Sequence, residues 1–120
     1  MLRLKLSTGI VLAALIAVLG VTSIALARTQ TAAAKIVTVK ATEFHFALST
    51  RTARHGLFIF KVTNRGHVKH DFKIAGKKTP LLQHGKTAKV TVSLKKGKYP
   101  YSCTVPGHAA AGMKGVFTVK

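Results

Sequence analysis

The segment Thr87–Leu94 (TAKVTVSL) alternates polar and apolar residues without a break. Ala88, Val90, Val92 and Leu94 fall on one side, Thr87, Lys89, Thr91 and Ser93 on the other. Side chains of an extended chain point to opposite faces in turn, so this segment is a strand with one face in a core and one in water. The same period returns along most of the chain from Lys35 onward. Residues 35–41 set Val37 and Val39 against Ile36, Thr38 and Lys40, and Phe44, Phe46 and Leu48 share one face beside His45 and Ala47. Residues 57–63 (LFIFKVT) are apolar at nearly every position, the pattern of a central strand. Residues 72–75, 98–103 and 115–119 add shorter strands, and Asn64-Arg65-Gly66, Gly76, Pro80, Gly85, Gly97 and Pro106-Gly107 punctuate them. No stretch after Lys35 sustains a 3.6-residue period. Seven or so short strands at this spacing predict an all-β domain over residues 35–120, an antiparallel sandwich or barrel.

The first 27 residues follow different physics. Arg3 and Lys5 precede residues 9–27, of which 15 of 19 are apolar and none is charged. The run ends Ala25-Leu26-Ala27, small residues where a signal peptidase reads. A basic start, an apolar middle and an A-x-A end predict a signal peptide over 1–27, an apolar helix removed on export. The rival is an uncleaved anchor, because such a run can just cross about 30 Å of hydrocarbon. Thr22, Ser23 and the Ala-Leu-Ala end favour cleavage. There is no twin-Arg pair, and no Cys follows the run to carry a lipid. Residues 28–34 (RTQTAAA) lack periodicity and read as a short disordered lead. The expected location is extracytoplasmic: periplasmic, cell-surface or secreted, and membrane-anchored if the leader stays.

Composition then removes whole classes of function. The chain has 120 residues, 20 Lys+Arg against 2 Asp+Glu, and a net charge of +18. Loss of the leader takes Arg3 and Lys5 with it and leaves 93 residues at +16. A domain of that size buries only about 60–65% of its unfolded surface, so a bound metal would help to hold it. A single cysteine, Cys103, excludes a disulfide framework and a Cys-rich zinc or iron–sulfur cage. Two carboxylates, Glu43 and Asp71, are too few for paired acid/base work beside any other role or for an all-oxygen calcium or magnesium cage. No enzyme is expected.

The chemistry concentrates in residues 99–115 (YPYSCTVPGHAAAGMKG). Cys103, a histidine five residues on (His108) and a methionine five beyond that (Met113) share one loop between two strands. Upstream, His70 opens a strand after the turn that holds Asn64 and Gly66. Thiolate and thioether are soft donors that favour copper(I), and imidazole suits both copper states. Two His and one Cys with a long axial Met describe a blue-copper electron-transfer site. Three ligands on one loop need a sharp reversal after Cys103, which Pro106-Gly107 supplies, while Gly112 relieves crowding beside Met113. Taken singly, Cys103 could be a small buried hydrophobe and Met113 a core residue; their common loop makes them ligands. A Cys–His nucleophile pair would leave the thioether idle and has no third orienting group beyond Asp71.

The segment YSCTVPGHAAAGMKG (101–115) resembles the ligand loop of the cupredoxins, small blue copper proteins. Its C-x4-H-x4-M spacing is closer to auracyanin and rusticyanin than to plastocyanin, whose loop is shorter. ATEFHF (41–46), FKVTNRGHVKHDF (60–72) and GKTAKVTV (85–92) look like the early strands and first-ligand strand of that family. The resemblance covers about residues 35–120. It implies a Greek-key β-sandwich binding one copper through His70, Cys103, His108 and Met113 and passing single electrons. It also implies that the edge of His108 reaches the surface as an electron port, within a flat patch of Pro106, Gly107, Ala109, Ala110 and Ala111. Many members carry Asn after the first His, where this chain has Asp71. Its carboxylate is expected to accept a hydrogen bond from Thr104 and steady the Cys loop, Asn64 belonging to the same supporting layer. A negative charge there favours the oxidised ion. Plastocyanin has an aromatic residue before the Cys; here Ser102 stands in its place.

The other histidines read differently. His45 belongs on the outer face of a sheet, and His55, His67 and His84 sit beside glycines in turns, although His67 and His70 are near enough in sequence to graze one ion. The positive charge is spread over strands and turns with no helix or aromatic platform, so nucleic acid is not the expected partner. Redox proteins, acidic or membrane-bound, are, with an anionic membrane or cell-wall surface as a second attraction. The protein is expected to be a monomer. The alternative function is copper binding or delivery without electron traffic.

Overall fold

The periodic segment Thr87–Leu94 forms a strand, and Val90, Val92 and Leu94 are buried as its period requires. This computed structural model describes residues 23, 25–27 and 29–120. The expected signal peptide lies, apart from residues 23 and 25–27, outside the described residues. Nine strands follow in chain order among the described residues: β1 (Lys35–Thr42), β2 (His45–Leu48), β3 (Thr52–Ala53), β4 (Gly56–Asn64), β5 (Lys73–Ile74), β6 (Lys77–Lys78), β7 (Thr87–Leu94), β8 (Gly97–Ser102) and β9 (Lys114–Val119). Residues 29–34 carry no strand.

The strands make two sheets, ordered β2-β1-β4-β7 and β3-β9-β8-β5-β6. Their inner faces meet through aromatic rings. Phe58 and Phe60 of β4 stand edge-on to Phe117 of β9, with centroids 5.4 and 5.2 Å apart, and Phe46 of β2 stands edge-on to Phe72 at 5.2 Å. Edge-to-face pairs of this kind add about 0.5–1.5 kcal/mol beyond the area they bury. Val37, Val39 and Ala41 face the same core from β1, while Ile36 and Lys40 stand outside, as the alternation predicted.

Strand direction departs from the expectation of an antiparallel fold. β1 runs parallel to β4, with Val37 opposite Phe60, and β3 runs parallel to β9. The physical reason is a crossover. After the β1–β2 hairpin the chain passes to the other sheet for β3, then returns beside β1 in its original direction. Periodicity registers which face of a strand is buried but not which way its neighbour runs. Strand number also exceeds the predicted seven, because β3 and β6 have two residues each and carry no readable period, whereas β5 falls within the strand expected at residues 72–75.

Phe44 departs as well. It was expected on the face of Phe46 and Leu48, but β2 begins at His45, and Phe44 lies in the β1–β2 turn with 42% of its surface exposed. That turn closes the end of the sandwich at which His70 and the 103–113 loop also sit, so Phe44 belongs to the site rather than the core.

Candidate metal centre

His70 is fully buried and fixed through its backbone. Its N–H donates to Leu82 O at 3.2 Å, and Leu82 N–H donates to His70 O at 2.7 Å. Asn64, also fully buried, organises the approach to it. Its amide donates to Val68 O (2.8 Å) and Leu82 O (2.6 Å), and its Oδ1 accepts Gly66 N–H (2.8 Å). The sequence placed Asn64 in a turn; the structure makes it the knot joining the 64–70 segment to Leu82.

The loop after β8 turns where Pro106-Gly107 predicted. His108 N–H donates to Val105 O at 3.1 Å, and Gly107 takes a φ of 83°. Gly112 serves a different purpose from the one expected. Its φ is 122°, and a Cβ there would meet the Phe44 carbonyl at 3.2 Å, so the crowding comes from the β1–β2 turn rather than from Met113. Met113 is fully buried, its carbonyl accepts Cys103 N–H (3.0 Å) and its N–H donates to His108 O (3.1 Å). The loop is thus stapled to itself between its three candidate ligands.

Side-chain donors converge across these two segments. His70 Nδ1 lies 3.1 Å from His108 Nδ1, and Cys103 Sγ lies 3.6 Å from the same nitrogen. The three donor atoms all fall within 4.8 Å of one another, and Cys103 is buried with them. Donors that each sit about 2.0–2.3 Å from one first-row metal ion are separated by just such distances. Two imidazoles and one thiol therefore fit copper by both spacing and softness, and the buried Met113, bonded through its backbone to Cys103 and His108, brings a soft thioether to the same loop. Burial pushes the Cys103 thiol above its ordinary pKa, so metal binding has to displace a proton.

Two carboxylates flank these ligands. Asp71 is buried, and its Oδ1 accepts Thr104 N–H at 2.6 Å while its Oδ2 accepts the Thr104 hydroxyl. The Lys78 ammonium stands 3.8 Å from the same carboxylate. Glu43 was counted in the sequence but given no place there. Its Oε1 accepts His67 N–H (2.8 Å), Val68 N–H (3.0 Å) and His70 Nε2–H (3.0 Å). The Val68 amide, aided by His70 and the His67 amide against some desolvation, holds this carboxyl down to about 2. Only its position after β1 hinted at a role, because nothing in sequence relates residue 43 to residue 70.

His45, His55, His67 and His84 are exposed, as expected of them. His67 does not join His70 on one ion; its ring stacks on His84 at 5.8 Å, and His84 Nδ1 bonds Gly66 O at 2.7 Å. Phe44 packs edge-on against the His108 ring, centroids 5.0 Å apart.

A family model described as copper binding proteins, plastocyanin/azurin family, matches residues 28–120. The chain belongs to this family. No sequence match to a curated protein is found. Among solved structures the fold is similar to auracyanin A, a blue copper protein of the green thermophilic photosynthetic bacterium Chloroflexus aurantiacus. The TM-score is 0.61 at 20% identity, over 73% of this chain and 100% of that one. Dithionite-reduced auracyanin from Roseiflexus castenholzii gives 0.58 at 20%, over 72% and 96%. A copper-containing nitrite reductase (NirK) from Thermus scotoductus SA-01 gives 0.58 at 19%, over 73% of this chain but only 28% of that one. At these identities the likeness establishes the fold: this is a cupredoxin β-sandwich. Its family membership and its clustered His70, Cys103 and His108, with Met113 tied to both loop ligands through its backbone, make it a copper protein with a type I ligand set.

Proposed function

We propose that the protein is an exported, monomeric, non-catalytic carrier of single electrons. The observation that carries this reading is a His–Cys–His trio whose donor atoms lie within 4.8 Å, His70 and Cys103 buried and the His108 ring half-exposed above them. Copper held there supplies the one-electron couple. The chain's own residues do the rest. The Leu82 bridge and the loop hydrogen bonds hold the donors in place, so little moves when charge changes. Phe44 packs its apolar ring against His108. Asp71 ties Thr104, and hence the residue next to Cys103, to the residue next to His70.

His108 is the electron port in this reading. Pro106, Gly107, Ala110 and Ala111 are exposed and Ala109 half-exposed around it, a small apolar surface suited to brief encounters. The chain's net positive charge steers an acidic redox partner, a term that weakens as salt rises. The leader over 1–27 accounts for an extracytoplasmic location.

The test is an absorption spectrum of the exported protein with added Cu(II), followed by voltammetry and electron self-exchange. An intense blue band, a reversible wave and fast exchange are expected. Copper that binds with slow exchange and leaves readily would move the protein to the delivery class.

A further inference from the structure

The chain carries 20 Lys+Arg, yet among the described residues Glu43 forms no ion pair with any of them. Its one ionisable partner is the fully buried His70. The residue is exposed, and a lysine could reach its carboxylate. It is instead held on a histidine ring by a purpose-shaped turn. His67 N–H and Val68 N–H both point at Oε1, and Asn64 fixes the turn that aims them. Gly66 makes room: a Cβ there would overlap the carboxylate, standing 2.8 Å from its carbon.

The contact has a chemical consequence. A neutral imidazole has one N–H and one lone-pair nitrogen, and the partner of the first decides which is which. An ionised carboxylate accepts only, so it claims the proton on Nε2 and leaves Nδ1 bare. Nδ1 is the atom that faces His108 and Cys103. A carboxylate on the far nitrogen also makes the ring a stronger donor, and a stronger donor favours the more highly charged ion.

We propose that Glu43 is the positioning residue of the copper centre, fixing His70 as an Nδ1 ligand and biasing the bound ion toward copper(II). The proposal rests on the copper reading above and deepens it. It is separable from a role in closing the 64–70 turn. A purely structural carboxylate would strengthen both copper states alike; one acting through the ring strengthens copper(II) more.

Glu43→Gln keeps the shape and removes the charge. Its copper(II) affinity, measured by chelator competition, is expected to fall about 10–100-fold. Copper(I) affinity should change less, and each tenfold difference raises the reduction potential by about 59 mV. Gly66→Ala, which displaces the carboxylate without altering it, should shift the potential in the same direction. In the copper-free protein, nitrogen-15 shifts of the His70 ring should report Nε2–H in the wild type and a mixture of tautomers in Gly66→Ala. An unmoved potential in both variants, equal losses for both copper states, or an Nδ1–H ring in the wild type would overturn the proposal. A wild-type protein that takes up copper without a blue band would instead overturn the electron-carrier reading and leave the tautomer result standing.

Discussion

The two histidines of the site are the same residue type facing the same point, and the protein holds them in opposite ways. His70 is sealed in the sandwich, with its backbone bonded twice to Leu82 and its outer nitrogen on Glu43. His108 rides a turn-rich loop, half-exposed, with Phe44 against its ring and no strand pairing of its own. One side of the centre is therefore part of the core, and the other is a surface loop clamped onto it. A site that must stay rigid while exchanging electrons with a visitor needs both: buried groups for constancy, and one exposed edge for access.

Removing the atom that both sides share should have the largest effect. Cys103→Ser replaces the thiolate with a hard, poorly acidic hydroxyl, and the intense blue absorption should vanish entirely while the far-ultraviolet spectrum stays that of a β-sandwich. Survival of the blue colour would remove the basis for the site.

The anchored side should next prove costlier to damage than the loop. Asn64→Ala deletes three hydrogen bonds in a fully buried knot, and denaturant unfolding should show a loss of about 2–4 kcal/mol. Gly107→Ala forces a side chain into a positive φ on the loop and should cost only about 1–2 kcal/mol. Equal losses would mean that the two sides are not held differently after all.

The smallest effect is the sharpest. Asp71→Asn keeps an acceptor for Thr104 N–H, so stability should fall by no more than about 1 kcal/mol. The loss of negative charge beside the centre should still raise the reduction potential in voltammetry. A lowered potential would reverse the sign assigned to this carboxylate.

Much of this is legible in the amino-acid sequence. The alternation in Thr87–Leu94 gave the buried and exposed faces of β7 residue by residue, and the C-x4-H-x4-M loop gave three of the four candidate ligands. The hydrogen bonds from Thr104 to Asp71 are those expected of that pair. Glu43 and Phe44 were not legible as parts of the site. Both lie in the turn between β1 and β2, where the alternation in sequence runs on through Phe44 although the strand begins only at His45, and the ligand histidines they touch come from distant segments. The parallel run of β1 beside β4 was hidden for a related reason, since it depends on an excursion through the other sheet.

Sequence alone determined the donor chemistry and the faces of the longer strands, because softness belongs to single side chains and burial on a strand repeats every second residue. Tertiary structure alone decided which nitrogen of His70 is free, which carboxylate claims the other, and why Gly66 and Gly112 must lack a side chain. Those are facts about atoms from distant segments meeting within a few ångströms. A linear pattern records what each residue is, while the folding of the sandwich decides what it touches.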